Sequence, residues 1–212
     1  MDATVTVTDR SDVGADTVTI SFETPEGFEA APGQFVKLSA EVDGESYARF
    51  YTLSSPDIEG SFEITVEIDP TESGPFSEFL AALSAGDSIE MSGPFGSDYY
   101  EGEPRVVVLA GGPGIGPAVG IGERAVADGG EVTIIYQDDD PAHETRLAAL
   151  REAGASVTVT DSEIDDAVET ALAGQADEQI FVYGFGSFVK AATAAVEAAG
   201  VDTESLKVEN FG

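Results

Sequence analysis

Arg49, Tyr51 and Thr52 fall within one short stretch, RFYTLSSP, and each side chain brings a different contact to a flat, anionic ligand. A guanidinium forks onto phosphate oxygens, a phenol ring lies against another planar ring, and a hydroxyl adds one directed hydrogen bond. On a strand, Arg49 and Tyr51 share one face while Phe50 and Thr52 point to the other. A bulge or the strand end is needed to bring Thr52 to the same ligand. The arrangement suits a flavin nucleotide, although an Arg and a Tyr are equally at home on an ordinary solvated strand face.

A second chemical stretch runs from Arg105 to Pro117, RVVVLAGGPGIGP, where an apolar β-branched run stops in glycine. The unalternating Val106–Leu109 reads as a strand buried on both faces of a parallel sheet. Gly111, Gly112, Gly114 and Gly116 take away side chains that would hold a ligand off the backbone. Pro117 is well placed as the first residue of a helix whose amides would face a phosphate. Two common phosphate motifs are excluded. Pro117 and Ala118 stand where a P-loop needs its lysine and hydroxyl, and Pro117 replaces the last glycine of a dinucleotide fingerprint. A glycine turn that merely joins strand to helix stays open at this point.

The elements that must carry these stretches fall into two rhythms. Up to about Ser97 the chain reads as strands, TVTVTD, TVTISFE, QFVKLSA, ARFYTLSS, SFEITVEID and DSIEMSG, broken only by a short helical pattern in FSEFLAAL. Period-two alternation predicts antiparallel strands in a small closed or nearly closed barrel. After the polar link Tyr99–Pro104 strands alternate with helices: VVVLAGG and the helix after Pro117, VTIIYQ and PAHETRLAALREAG, SVTVTD and DDAVETALAG, QIFVYG and SFVKAATAAVEAAG, then LKVENFG. This predicts a parallel sheet covered by helices. The expected division is a β-barrel domain over residues 1–101 and an α/β domain over 102–212.

Composition narrows the chemistry. The chain of 212 residues has no cysteine and one histidine, which excludes disulfides, thiolate nucleophiles, cysteine-ligated clusters and a histidine metal site. Redox chemistry would need an organic cofactor, and no metal is expected. With 41 acidic and 9 basic residues the formal charge is −32, so neither nucleic acid nor an anionic membrane is an expected partner. No apolar run approaches a span or a signal core, which makes a cytoplasmic location the expectation. The acidity and scarce lysine resemble the usage of salt-loving organisms, whose internal salt mutes self-repulsion.

Taken in order, the motifs resemble those of the ferredoxin–NADP reductase superfamily. RFYTLSSP is similar to its Arg-x-Tyr-Ser/Thr flavin motif, APGQF (31–35) to its Pro-Gly-Gln turn, GPFS (74–77) to its second pyrophosphate motif, and GPFG (93–96) to the turn that ends its barrel. GGPGIGP resembles its nicotinamide-nucleotide loop, YGFG (183–186) its Cys-Gly-Pro segment, and ENFG (209–212) its usual carboxyl end. The resemblance implies FAD as cofactor and NADH or NADPH as substrate. It puts Arg49 on the pyrophosphate, Tyr51 against the isoalloxazine with Phe50 between them, and Thr52 within reach of flavin N5. Gly74, Pro75, Phe76 and Ser77 would hold the pyrophosphate. Gly112, Gly114, Ile115, Gly116 and Pro117 would line the nucleotide's diphosphate, and Gly184, Phe185 and Gly186 would admit the nicotinamide. Glu209 is a candidate for placing the nicotinamide or relaying a proton beside the flavin, Phe211 a shield for the ring, and Tyr183 stands in a catalytic position where the family usually has cysteine.

The short chain leaves little room for an adenosine-binding lobe and none for a ferredoxin domain. The implied activity is hydride transfer between NAD(P)H and flavin, followed by single electrons to a separate carrier such as ferredoxin or flavodoxin. A flavin reductase, an oxygenase reductase component and a non-catalytic flavin-binding subunit are the alternatives. QDDD (137–140), at the end of the second parallel strand, sets the coenzyme. Asp138 and Asp139 would accept hydrogen bonds from a ribose 2′-hydroxyl and repel a 2′-phosphate, favouring NADH. Arg146, on the next helix, is the competing candidate for a phosphate contact.

Overall fold

The computed structural model describes residues 1–68, 74–173 and 177–212. Six strands form one antiparallel sheet: β1 (Asp2–Asp12), β2 (Thr17–Glu23), β3 (Phe35–Val42), β4 (Glu45–Thr52), β5 (Ser61–Glu67) and β6 (Ser88–Phe95). Their order, β4-β3-β6-β1-β2-β5, curls so far that the edges meet at a bridge between Leu53 and Ile64. The barrel is thus nearly closed, as the alternation required. Its inward residues include Val18, Ile20 and Phe22 of β2 and Phe62, Ile64 and Val66 of β5, all buried. Phe22 and Phe62 stack with centroids 5.3 Å apart, each ring contributing about 1.5–3 kcal/mol by leaving water.

Strands β3 and β4 are longer than the sequence pattern suggests. They continue through Val42 and from Glu45 into a two-residue hairpin at Asp43–Gly44, whose φ values are 53° and 83°. An Asp-Gly pair tolerates two positive φ angles and matches the twist of the flanking strands. The short helix α1 (Pro75–Ala82) then crosses the barrel, with Phe76 and Leu80 buried. Asp69 at the end of the expected SFEITVEID strand, and Gly174 at the end of the expected DDAVETALAG helix, lie outside the described residues.

The second half is a five-stranded parallel sheet, β7 (Arg105–Gly111), β8 (Glu131–Gln137), β9 (Ser156–Thr160), β10 (Gln179–Gly184) and β11 (Lys207–Asn210), ordered β11-β10-β7-β8-β9. Helices α2 (Ile115–Ala127), α3 (Glu144–Glu152), α4 (Asp165–Leu172) and α5 (Gly186–Ala198) cover it, with one apolar core on each face. Strand order reverses at β7, whose neighbours are β8 and β10, so a crevice opens at their carboxyl ends. One boundary differs from the sequence reading. A 3₁₀ turn at Gly112–Gly114 leads directly into α2 at Ile115, leaving Pro117 as the third helical residue. Proline is tolerated there because the first four helical N–H groups lack intrahelical partners.

Candidate active site

A cleft of about 450 Å³ lies where the barrel meets the carboxyl end of the parallel sheet. Arg49, Phe50, Tyr51, Thr52, Thr65, Val66, Glu67, Gly74 and Ser77 form the barrel wall, and Pro113, Pro117, Phe185 and Phe211 the other. Thr52 reaches this cleft because it is the last residue of β4, where alternation ends. Arg49 sits exposed on the rim and donates to the Ala48 carbonyl at 2.8 Å. Arg10, Arg105, Arg124, Arg146 and Lys207 are all ion-paired, but among the described residues Arg49 has no carboxylate partner. In so acidic a chain, an unpaired guanidinium beside the start of α1 is a ready anion site.

Tyr51 lines the cleft and packs against Phe76, centroids 6.5 Å apart. Burial pushes the phenol up to about 12 against the opposing influence of the nearby Ser77. Phe76 is 3% exposed and sits between Tyr47 and Phe79. It therefore supports Tyr51 from the core instead of touching a ligand, as its apolar ring at a buried helical position demands. Pro75 is the exposed first residue of α1, and Gly74 faces open space.

Glu209 lies behind Thr52 of the cleft wall. It is on β11 in register with Tyr183, and Thr52 is near enough across the gap between the sheets to influence its carboxyl. Partial burial, reinforced by the charge of Asp98, pushes its carboxyl up to about 7 against the opposing pull of Thr52. A half-buried acid poised near neutrality can hold or release a proton at working pH. Tyr183 stands differently from the catalytic expectation. Its ring is 1% exposed in the core, its hydroxyl donates to the Asp98 carbonyl at 3.3 Å, and burial holds the phenol well above its ordinary range. It walls Glu209 and does not line the cleft. Phe211 does, and meets Phe185 edge-on at 6.3 Å.

The glycine loop also divides its labour. Gly112 has φ 54° and lines a second cleft, where an added Cβ would meet only the Glu67 carboxylate at 3.7 Å. Gly114 and Gly116 serve packing. A Cβ on Gly114 would stand 2.2 Å from the Tyr183 carbonyl oxygen, and one on Gly116 2.7 Å from the Thr65 side chain. Ile115 is fully buried. At the end of β10, a Cβ on Gly184 would meet Phe188 at 2.8 Å, while Gly186 opens α5 near Asn210.

The second cleft, about 460 Å³, continues from the first past Glu67 and Phe185, which line both. Gly111, Gly112, Gln137, Asp138, Asp139, Asp161 and Ser187 surround it. Asp138 is already engaged by the Tyr136 hydroxyl at 2.8 Å and the Asp140 amide at 2.9 Å, so the exposed Asp139, and the Oδ2 of the exposed Asp161, whose Oδ1 accepts from the Ser162 hydroxyl, face a ligand. Arg146 is not placed to contact a phosphate here. It is consumed by Glu123, Glu63 and the Ser54 carbonyl. Thr65, Glu67, Pro113 and Asp161 escaped sequence reasoning. Asp161 had a signal, since it follows a parallel strand at its carboxyl end, where α/β sheets bind ligands.

Comparison with known proteins agrees with this geometry. Residues 4–100 match the family model of the oxidoreductase FAD-binding domain. The whole chain superposes on cytochrome P450 reductase GcoB from Amycolatopsis with a TM-score of 0.83 at 24% identity, covering 100% of this chain and 70% of that one, which shows a shared fold. Together these define what is shared, an FAD-binding-domain match over residues 4–100 and a ferredoxin reductase-like fold over the whole chain. Among curated relatives, the ferredoxin reductase component of 3-ketosteroid-9-alpha-monooxygenase from Mycolicibacterium smegmatis is 32% identical over 219 residues, 93% of this chain and 62% of that protein. NADH-cytochrome b5 reductase 1 from Cryptococcus neoformans is 33% identical over 117 residues, 51% of this chain and 39% of that protein. The chain thus spans less than two thirds of the length of either relative. Among the described residues, no group of carboxylates or histidine could hold a metal ion, and no helix is long and apolar enough to cross a membrane.

Proposed function

We propose that the chain accepts a hydride from NADH or NADPH and hands single electrons to a separate acceptor protein. FAD, when bound, supplies the conversion from two-electron to one-electron transfer. The observation that carries the reading is the cleft itself, in which Arg49, Tyr51, Thr52 and Ser77 of the barrel face Pro117, Phe185 and Phe211 of the parallel-sheet half. The residues fit the group: a cation and the start of α1 for a pyrophosphate, and the Tyr51 ring, backed by Phe76, for a flat heterocycle.

In this reading Arg49, Gly74 and Ser77 bind the pyrophosphate, Tyr51 orients the ring, and Thr52 hydrogen-bonds at its reactive edge. Glu209 holds or gives up a proton there, and Phe211 with Phe185 keeps water from that face. Gly112 and Pro117 attend the nicotinamide nucleotide. Asp139 and Asp161 accept from its ribose hydroxyls, and their charge disfavours a 2′-phosphate, which makes NADH the preferred coenzyme. We place the boundary of the two domains at Glu101, in the link between β6, which ends at Phe95, and β7, which begins at Arg105.

The acceptor is ferredoxin, flavodoxin or the terminal component of an oxygenase. Relatives named as oxygenase reductase or electron-transfer components favour the last. A salt-rich cytoplasm accords with the charge of −32. The test is spectroscopic. The purified protein should be yellow and should bleach anaerobically with NADH faster than with NADPH; a yellow protein that neither nucleotide bleaches would leave only a flavin-binding role.

A further inference from the structure

The two sheets also meet behind the clefts, through groups of which only Thr65 lines one. On α2, Gly116 and Gly120 lie one turn apart and both face the barrel. A Cβ on Gly120 would stand 2.9 Å from the Ser54 carbonyl oxygen, as one on Gly116 would press on Thr65. Helix and barrel therefore approach to backbone contact. The start of α3 locks that contact. Arg146 forks onto Glu123 of α2 with two hydrogen bonds of 2.7 Å, and reaches the barrel at Glu63 Oε1 (2.9 Å) and the Ser54 carbonyl (2.7 Å). His143, at φ 58°, anchors its N–H on the Val13 carbonyl and sets Nε2 2.9 Å from the Thr65 hydroxyl.

Ser54 follows Thr52 by two residues, past the Leu53–Ile64 bridge that closes the barrel. Its N–H donates to the Glu63 carbonyl and its hydroxyl to the Glu63 carboxylate. One guanidinium thus grips α2, which begins at the nucleotide loop, together with the segment on which the flavin-side hydroxyl hangs. A half-buried ion cluster is a poor source of stability, because desolvation offsets most of the attraction. What it adds is direction, since a planar fork fixes both partners in angle and distance.

We propose that Arg146 is a positioning residue for hydride transfer: through the Ser54 carbonyl it sets the separation between the Thr52 end of β4 and the nucleotide-binding start of α2. This rests on the reductase reading above. Hydride transfer is steep in distance, and a misplacement of about 1 Å can cost on the order of a hundredfold.

The experiment uses the full FAD-loaded chain. Arg146→Gln is compared with the parent in anaerobic rapid-mixing reduction at saturating NADH, alongside FAD content, nucleotide Kd and the long-wavelength charge-transfer absorbance. The expected result is a fall in the limiting reduction rate of about tenfold or more and a weakened charge-transfer band, with FAD content and nucleotide Kd within about twofold. Arg146→Lys, which keeps a donor for Ser54, should recover part of the rate. Gly120→Ala, which wedges the seam without touching a charge, should slow reduction in the same way and carries the test if Arg146→Gln does not accumulate. Parental limiting rates in these variants, or losses that only track lost FAD, overturn the proposal. A yellow parent that neither nucleotide bleaches overturns the reductase reading instead, and this inference with it.

Discussion

Replacing Glu209 by glutamine should make the protein more stable at alkaline pH while slowing it as a reductase. In the folded chain burial moves this carboxyl from its ordinary 4.5 up to about 7. Between those values the folded state keeps a proton that the unfolded chain has released. Its stability is therefore complete below about pH 4.5, declines as pH rises through the window, and stays reduced above 7. The shift corresponds to about 3 kcal/mol; the side chain is only half-buried, so water screens part of the cost and about 2 kcal/mol is the working figure. Glutamine has nearly the same shape and cannot ionise. At pH 8 the variant should gain about 2 kcal/mol in denaturant unfolding, or roughly 4–8 °C in Tm for a chain of this size, and at pH 4.5 the two proteins should coincide. Flavin reduction should slow, and the inflection near pH 7 in the parent's rate profile should disappear. Equal stability gains at both pH values, or an inflection that survives in Glu209→Gln, would show that the carboxyl does not titrate as argued.

Three further outcomes follow from the same geometry. Arg49→Ala loses a charge-assisted contact and should weaken FAD binding by about one to two decades in equilibrium titration; a parental affinity refutes the phosphate assignment. Removing charge from the second cleft, by Asp139→Ser with Asp161→Asn, should raise the NADPH to NADH ratio of reduction efficiencies about tenfold at low salt and less at high salt, where screening already mutes the repulsion. An unchanged ratio would move coenzyme choice elsewhere. His143 is held down to about 3, chiefly by burial and secondarily by Arg146, so the folded state refuses a proton that the unfolded chain binds below pH 6.5. Its stability is present above 6.5 and is lost as pH falls toward 3, about 2 kcal/mol by pH 5. The parent should lose that much more than His143→Gln between pH 7 and 5, and parallel losses would contradict it.

Much of this architecture is local and so was legible in the residues alone. Alternation in TVTISFE and SFEITVE, the apolar run of β7 and the strand-helix rhythm after Pro104 depend on each segment's own pattern, because period and turn chemistry are properties of neighbouring residues. The same holds for Arg49 and Tyr51 sharing a strand face. What local pattern could not say is which way a residue serves once two sheets meet. Gly112, Gly114 and Gly116 look alike in a string, yet one faces a ligand cleft while the others make room for Tyr183 and Thr65. Arg146 looked free for a phosphate until the barrel delivered Glu63 and the Ser54 carbonyl to it. Tyr183 became a buried wall because the Asp98 carbonyl arrives above it, and Glu209 became an acid poised near neutrality because the docked barrel takes water from it and brings Asp98 near. Burial, hydrogen-bond partners and the electrostatic cost of a buried charge are set by atoms distant in the chain, so only the docking of the barrel on the parallel sheet decided them.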